Sequence, residues 1–212
     1  MESCCNLGNE FDKKKNILYE TDNFFVVPTI GQIGIEGYLL LCSKEHFIGV
    51  GGMPEKYQQE LEGAIKKTRN VLSKVYNSDV LVFEHGPRIA CHRGGGCLDH
   101  SHLHLVPVSE DIMEPLVVHL LRGLQIKDYY KLERISGFDR LKEIYDKQES
   151  SYLFIETARL ERYTTEVNFP IPSQYLRQMI ASKIGKINDW DWRIKPDYGT
   201  FERTIENLKA KF

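Results

Sequence analysis

The stretch "DHSHLHLVPV", Asp99 to Val108, sets three of the chain's seven histidines at alternate positions: His100, His102 and His104. Successive side chains of an extended strand point to opposite faces, so these imidazoles share one face in steps of about 7 Å. Ser101, Leu103 and Leu105 take the other face. A helix, at about 3.6 residues per turn, would splay the three rings. Leu103, Leu105, Val106 and Val108 mark a buried strand rather than a solvated tail. Such a row can supply a nucleophile, a proton carrier, a hydrogen-bond donor to an anion or a metal ligand.

What lies upstream narrows the choice. "PRIACHRGGGC" (87–97) brings Arg88, Arg93 and three consecutive glycines directly before the row. Glycine admits close backbone approach, and successive N–H groups can form a concave anion nest. A histidine row beside such a loop points to phosphate chemistry. Further upstream, "NILYE" (16–20), "NFFVVP" (23–28), "YLLLCS" (38–43) and "DVLVFE" (79–84) read as strands, with Pro28 implying an edge or a turn. Between the last two, Pro54 opens a helix whose apolar face is Tyr57, Leu61, Ala64, Ile65, Thr68, Val71, Leu72, Val75 and Tyr76. The order of elements is α+β: an antiparallel sheet with one long helix.

Residues 1–115 carry these features, and 116–212 read as a C-terminal α+β extension packed on them. Its elements are helices near 138–147, 172–184 and 200–212 and a hairpin over 151–167. Trp190, Trp192 and Tyr198 anchor the extension to the main core or offer a base-stacking platform. Gln174, Tyr175 and Arg177 are placed to reach over the histidine row as a lid.

The chain has 212 residues, 42% hydrophobic and 27% charged, with 28 Lys and Arg against 30 Asp and Glu and a net charge of −2. It is long enough to bury a core without disulfides. The charge balance gives no footprint for a nucleic acid polymer but leaves room for a local anion site. No apolar run approaches the roughly 20 residues that span a bilayer, and the N-terminus lacks a signal-peptide layout. Five cysteines, two of them adjacent, do not form an extracellular disulfide framework. The expectation is a cytoplasmic protein with no membrane partner.

The chain resembles the histidine-triad (HIT) superfamily of nucleotide hydrolases and transferases. That signature is His-φ-His-φ-His-φ-φ with φ apolar; here His100-Ser101-His102-Leu103-His104-Leu105-Val106 departs only at Ser101. The order of strands, "LLLCSKEHF", long helix, strand, glycine-rich loop and triad strand is similar over roughly residues 15–110. The resemblance implies that His102 is the nucleophile at the α-phosphorus of a nucleotide and passes through a nucleotidyl-histidine intermediate. It further implies that His104 bonds phosphoryl oxygens, that His100 and His46 orient the network, and that Gly95 and Gly96 present backbone N–H groups. Arg88, Arg93 and Cys97 complete the phosphate side. Cys97 stands where the family commonly has Ser or Thr, "FFVVPTIGQ" lacks the acidic residue for ribose, and "FEHGP" lacks the loop asparagine. With His104 third and no proline at 101, the chain looks nearer the hydrolase branches than the galactose-1-phosphate transferases.

The expected activity is nucleotide hydrolysis or nucleotidyl transfer on a dinucleoside polyphosphate, a nucleoside phosphoramidate or a similar substrate. Alternatives are a nucleotide-binding scaffold with weak chemistry and a metal-dependent hydrolase using the His row. No cofactor is required; Cys4 and Cys5 offer an incomplete start for structural zinc. His85, Cys91, His92 and Cys97 could form a second metal cluster, but without pair spacing they read as incidental loop residues, with Cys97 facing the phosphate site; His119 reads as a packing or surface histidine. A homodimer is the family's habit.

Overall fold

A computed structural model describes residues 14–89, 100–125, 132–147, 149–167 and 170–212. Short strand β1 (Tyr19–Glu20) leads to β2 (Phe24–Pro28) and β3 (Leu39–Ser43). Every residue of β2 and β3 is buried, as near-continuous apolar strands with both faces covered should be. β1 pairs only with Phe25 and Val26, so Pro28 lies beyond its reach and its missing N–H costs no ladder bond. Pro54 precedes a short 3-10 turn that runs into helix α1 (Gln58–Tyr76). Asn77, at φ 46°, ends α1 in the left-handed conformation that asparagine tolerates.

β4 (Asp79–Gly86) and β5 (His102–Val108) then pair antiparallel, Phe83 opposite His104. Helix α2 (Glu110–Leu124) follows, with β6 (Glu133–Ile135), α3 (Asp139–Lys147), β7 (Ser151–Glu156), β8 (Arg162–Val167), α4 (Tyr175–Lys183) and α5 (Tyr198–Leu208). All strands join one antiparallel sheet in the order β1-β2-β3-β5-β4-β7-β8-β6. The hairpin expected over 151–167 is β7 and β8, and it docks through β7 on β4, Phe83 opposite Ile155. The sheet therefore continues past residue 115, which itself lies inside α2.

Strand alternation divides the core. Leu103 and Leu105 of β5 pack with Leu61, Ala64, Ile65 and Leu72 of α1 and Leu141 and Ile144 of α3. Val106 and Val108 pack on the other face with Leu116 and Leu120 of α2 and Leu176 and Ile180 of α4. His102 and His104 share the parity of Val106 and Val108, so they look toward α2 and α4. At about 25 cal/mol per Å² of apolar area buried, each such face holds its helices firmly. A buried ion network joins α1 to the hairpin: Arg162 pairs with Glu156 and with Glu62 at 2.6 Å, while Arg69 stands 3.2 Å from Glu156.

Candidate functional site

β3 and β4 clamp the triad strand from both sides, Cys42 opposite His102 and Leu40 opposite His104. His102 and His104 have ring centroids 4.7 Å apart. Nδ1 of His102 lies 2.7 Å from the carbonyl oxygen of His100. A carbonyl can only accept, so Nδ1 carries the hydrogen and Nε2 keeps its lone pair. Burial pushes the His102 pKa down, against the opposing pull of the His100 carbonyl and of Glu84. The imidazole is neutral at neutral pH, with its lone pair on Nε2. At 6% exposed, His102 is a buried residue of the strand.

His104 lies deeper. Its ring stacks on Phe83 at 4.3 Å, and Nδ1 lies 2.9 Å from the Tyr38 hydroxyl. Burial, reinforced by the His102 and His85 rings, holds its pKa well below the usual range. Its Nε2 is buried and has no hydrogen-bond partner among the described residues. His100 sits on the bend before β5 rather than within it, and its Nε2 donates to the Ser43 carbonyl at 2.6 Å. The exposed His46 presents its ring 5.3 Å from that of His100. The four histidines expected from the sequence thus form a chain from the strand end inward.

A fifth joins them. His85 is the penultimate residue of β4, on the same face as Leu81 and Phe83, with its ring 6.0 Å from His104 and nearly perpendicular to it. Reading "DVLVFE" as ending at Glu84 left His85 in a loop; two more residues of strand period would have placed it beside the triad. Above these rings lies α4. Leu176 donates its backbone N–H to His85 Nε2 at 2.9 Å. Arg177 is 1% exposed, its guanidinium 5.2 Å from the Tyr38 ring centre, and it donates to Gly31 O, Trp190 O and Gln174 Oε1. A side chain so enclosed does not act as a lid over the surface; it is part of the wall. Trp190 and Trp192 pack on the core of this face.

No family model matches the chain, and no curated protein does. Among solved structures it is similar to a Bartonella henselae protein described as HIT-like and involved in cell-cycle regulation, at 17% identity and TM-score 0.38 over 44% of this chain and 70% of that one. It is similar to a hypothetical histidine triad nucleotide-binding protein of Sulfolobus tokodaii at 22% identity and TM-score 0.38, over 45% of this chain and 61% of that one. A Streptococcus mutans protein aligns at 20% identity and TM-score 0.38 over 63% of this chain and 74% of that one. The chain is similar to histidine-triad proteins. It spans less than two thirds of the Sulfolobus protein's length.

The departure at position 101 of the triad signature has a visible cause. Ser101 faces the opposite side from the triad rings, where its hydroxyl lies 3.5 Å from the buried carboxylate of Glu84. That carboxylate also accepts from Val50 N–H at 2.8 Å and from the Tyr152 hydroxyl at 2.5 Å. Burial raises the Glu84 pKa to about 7, the hydrogen bonds opposing it. An apolar residue at 101 would remove one polar neighbour from a group that has few. Nothing in the sequence marked Glu84 as buried.

Of the phosphate-side residues expected beside the triad, Arg93, Gly95, Gly96 and Cys97 lie outside the described residues, as do Cys91, His92, Cys4 and Cys5. Arg88 is described: its Nε donates to Tyr145 O at 2.9 Å and its guanidinium stands over the Tyr145 ring, so α3 engages it. Among the described residues no group of three or more His, Cys, Asp or Glu side chains is arranged to hold a metal, and no helix is long and apolar enough to cross a membrane.

Proposed function

We propose that the protein cleaves a nucleotide derivative at its α-phosphorus through His102, as a hydrolase or nucleotidyltransferase. The observation that carries this reading is the His102 Nδ1 bond to the His100 carbonyl, which leaves a neutral ring with its lone pair on Nε2. In the first step Nε2 forms a bond to phosphorus, and the bond from phosphorus to the leaving group breaks with its electron pair. In the second, a water oxygen bonds to phosphorus while the P–N bond breaks, its pair returning to Nε2 and the water proton passing to solvent. Two such displacements replace one harder one.

Charge building on the nonbridging oxygens needs preorganised donors, each worth roughly 10²–10³ in rate at such sites. With Tyr38 donating to Nδ1, His104 holds its hydrogen on the unpartnered Nε2 and supplies one of them. The substrate classes this chemistry serves are dinucleoside polyphosphates, nucleoside phosphoramidates, acyl nucleotides and nucleotide sugars.

The test is a hydrolysis panel of these compounds with wild type and His102→Ala, together with intact-mass measurement of a quenched reaction. Turnover lost in the variant and a nucleotidyl adduct on wild type are expected. Turnover that survives His102→Ala would overturn the mechanism, and a wild type that binds nucleotide without turnover would make the protein a nucleotide-binding module.

A further inference from the structure

His85 Nε2 accepts a hydrogen bond from the Leu176 backbone N–H, in the first turn of α4 where N–H groups have no intrahelical partner. The acceptor nitrogen must carry the lone pair, so the ring hydrogen is on Nδ1. That nitrogen is buried and has no hydrogen-bond partner among the described residues. Burial, with the neighbouring His102 and the Arg177 charge, holds the His85 pKa to about 3, so the ring is a neutral donor across the physiological range. A buried N–H left without an acceptor is rare in native proteins and points to a group that fills the position in the working state.

Its surroundings indicate what kind of group. The Nε2 of His104 is the second unpartnered ring nitrogen on this face. The Arg177 guanidinium adds a full positive charge whose hydrogen-bond acceptors are Gly31 O, Trp190 O and Gln174 Oε1, all neutral, with no carboxylate paired to it among the described residues. An N–H without an acceptor, near a cation that bonds no carboxylate directly, suits an oxyanion and disfavours a metal ion or an apolar group.

We infer that His85 is a substrate-binding residue whose Nδ1–H donates to a phosphoryl oxygen, and that the C-terminal segment sets its tautomer through Leu176. This rests on the phosphoryl chemistry proposed above for His102. It gives the C-terminal segment a defined part in the site: α4 aims a donor.

Two substitutions separate the bonds of this ring. Asparagine places an N–H near the position of Nδ1 but gives Leu176 no acceptor; glutamine reaches Leu176 with its carbonyl but removes the donor at Nδ1. His85→Gln is expected to fold like wild type and to lose about 10²-fold in kcat. His85→Asn is expected to keep kcat within about tenfold and to unfold at lower temperature. Independently, ¹⁵N NMR of histidine-labelled wild type should show His85 protonated on Nδ1, with that resonance shifting as inorganic phosphate is added. A His85→Gln enzyme with wild-type kcat and KM, or an Nδ1 signal indifferent to phosphate, overturns the inference while leaving His102 chemistry intact. A wild type inert on every nucleotide whose His85 Nδ1 still answers phosphate supports the inference and removes the hydrolytic reading instead.

Discussion

The Tyr38 hydroxyl and His104 Nδ1 meet at 2.9 Å, tying the residue just before β3 to the middle of the triad strand. Both side chains are buried, so neither end of this bond can turn to water. Tyr38→Phe leaves Nδ1 of a neutral imidazole unpaired, with both its nitrogens then lacking partners. Stability should fall by about 1–3 kcal/mol, the cost of a buried polar group left unsatisfied. Urea unfolding of the two proteins measures it, and kcat should fall as well, because the His104 tautomer is no longer held.

Glu84 gives a pH-dependent prediction. In the folded protein its pKa is raised to about 7 against an ordinary 4.5. Between these values the folded state holds a proton that the unfolded state has released, so stability from this group is present below pH 4.5 and is lost as pH rises to 7. At about 1.4 kcal/mol per pH unit the loss approaches 3 kcal/mol. Glu84→Gln cannot ionise. Its unfolding free energy relative to wild type should therefore improve by up to about 3 kcal/mol between pH 4 and pH 8. Histidines that do not feel the Glu84 charge cancel in the difference; His102, which does, is replaced by Ala in both proteins. A difference flat with pH would show that the carboxylate ionises in the folded protein as it does in water.

His102 sets the acid limb of activity. Its folded pKa is lowered, so the neutral, attack-competent ring persists below the ordinary histidine range. The acid limb of the kcat/KM profile should therefore lie below the ordinary histidine range. Ser43→Ala, beside His100, removes the hydroxyl contact at 3.3 Å and keeps the shorter carbonyl bond at 2.6 Å, so it should leave that limb unmoved.

The triad row was legible because a strand's period of two is a local property: three alternating imidazoles among Leu and Val have one arrangement that buries the apolar set. The long helix was legible for the same reason. Helix α2 was not, because Pro115 reads as a stop, whereas Met113, Leu116, Leu120 and Leu124 bury a face continuous enough to carry the helix through it. His85 is not legible in the sequence because Gly86 and Pro87 read as the strand's end and because its partner, Leu176, is 91 residues away. The helix signal over 172–184 carries Arg177, but its burial depends on Gly31, 146 residues upstream. Contacts of that separation leave no periodic trace.

Arg177 and Gly31 carry the last prediction. The guanidinium spans two loops, donating through Nη2 to Gly31 O at 2.9 Å and to Trp190 O at 3.0 Å, and through Nε to Gln174 Oε1 at 2.9 Å. An ammonium is a point charge without that fork, so Arg177→Lys cannot serve the three acceptors together. Arg177→Met removes the charge but strands the same carbonyls. Each should cost about 3 kcal/mol in denaturant unfolding, a loss comparable with breaking a buried polar network. At Gly31 a side-chain carbon would run into the Arg177 guanidinium and into Trp192, so Gly31→Ala should also destabilise. Because the two residues touch, the double variant Gly31→Ala with Arg177→Met should lose less than the two single losses combined, the methyl entering space that the shorter thioether chain leaves. Strict additivity in that cycle would mean that the two positions act on separate parts of the protein, and that α4 is held over the histidines by something other than this fork.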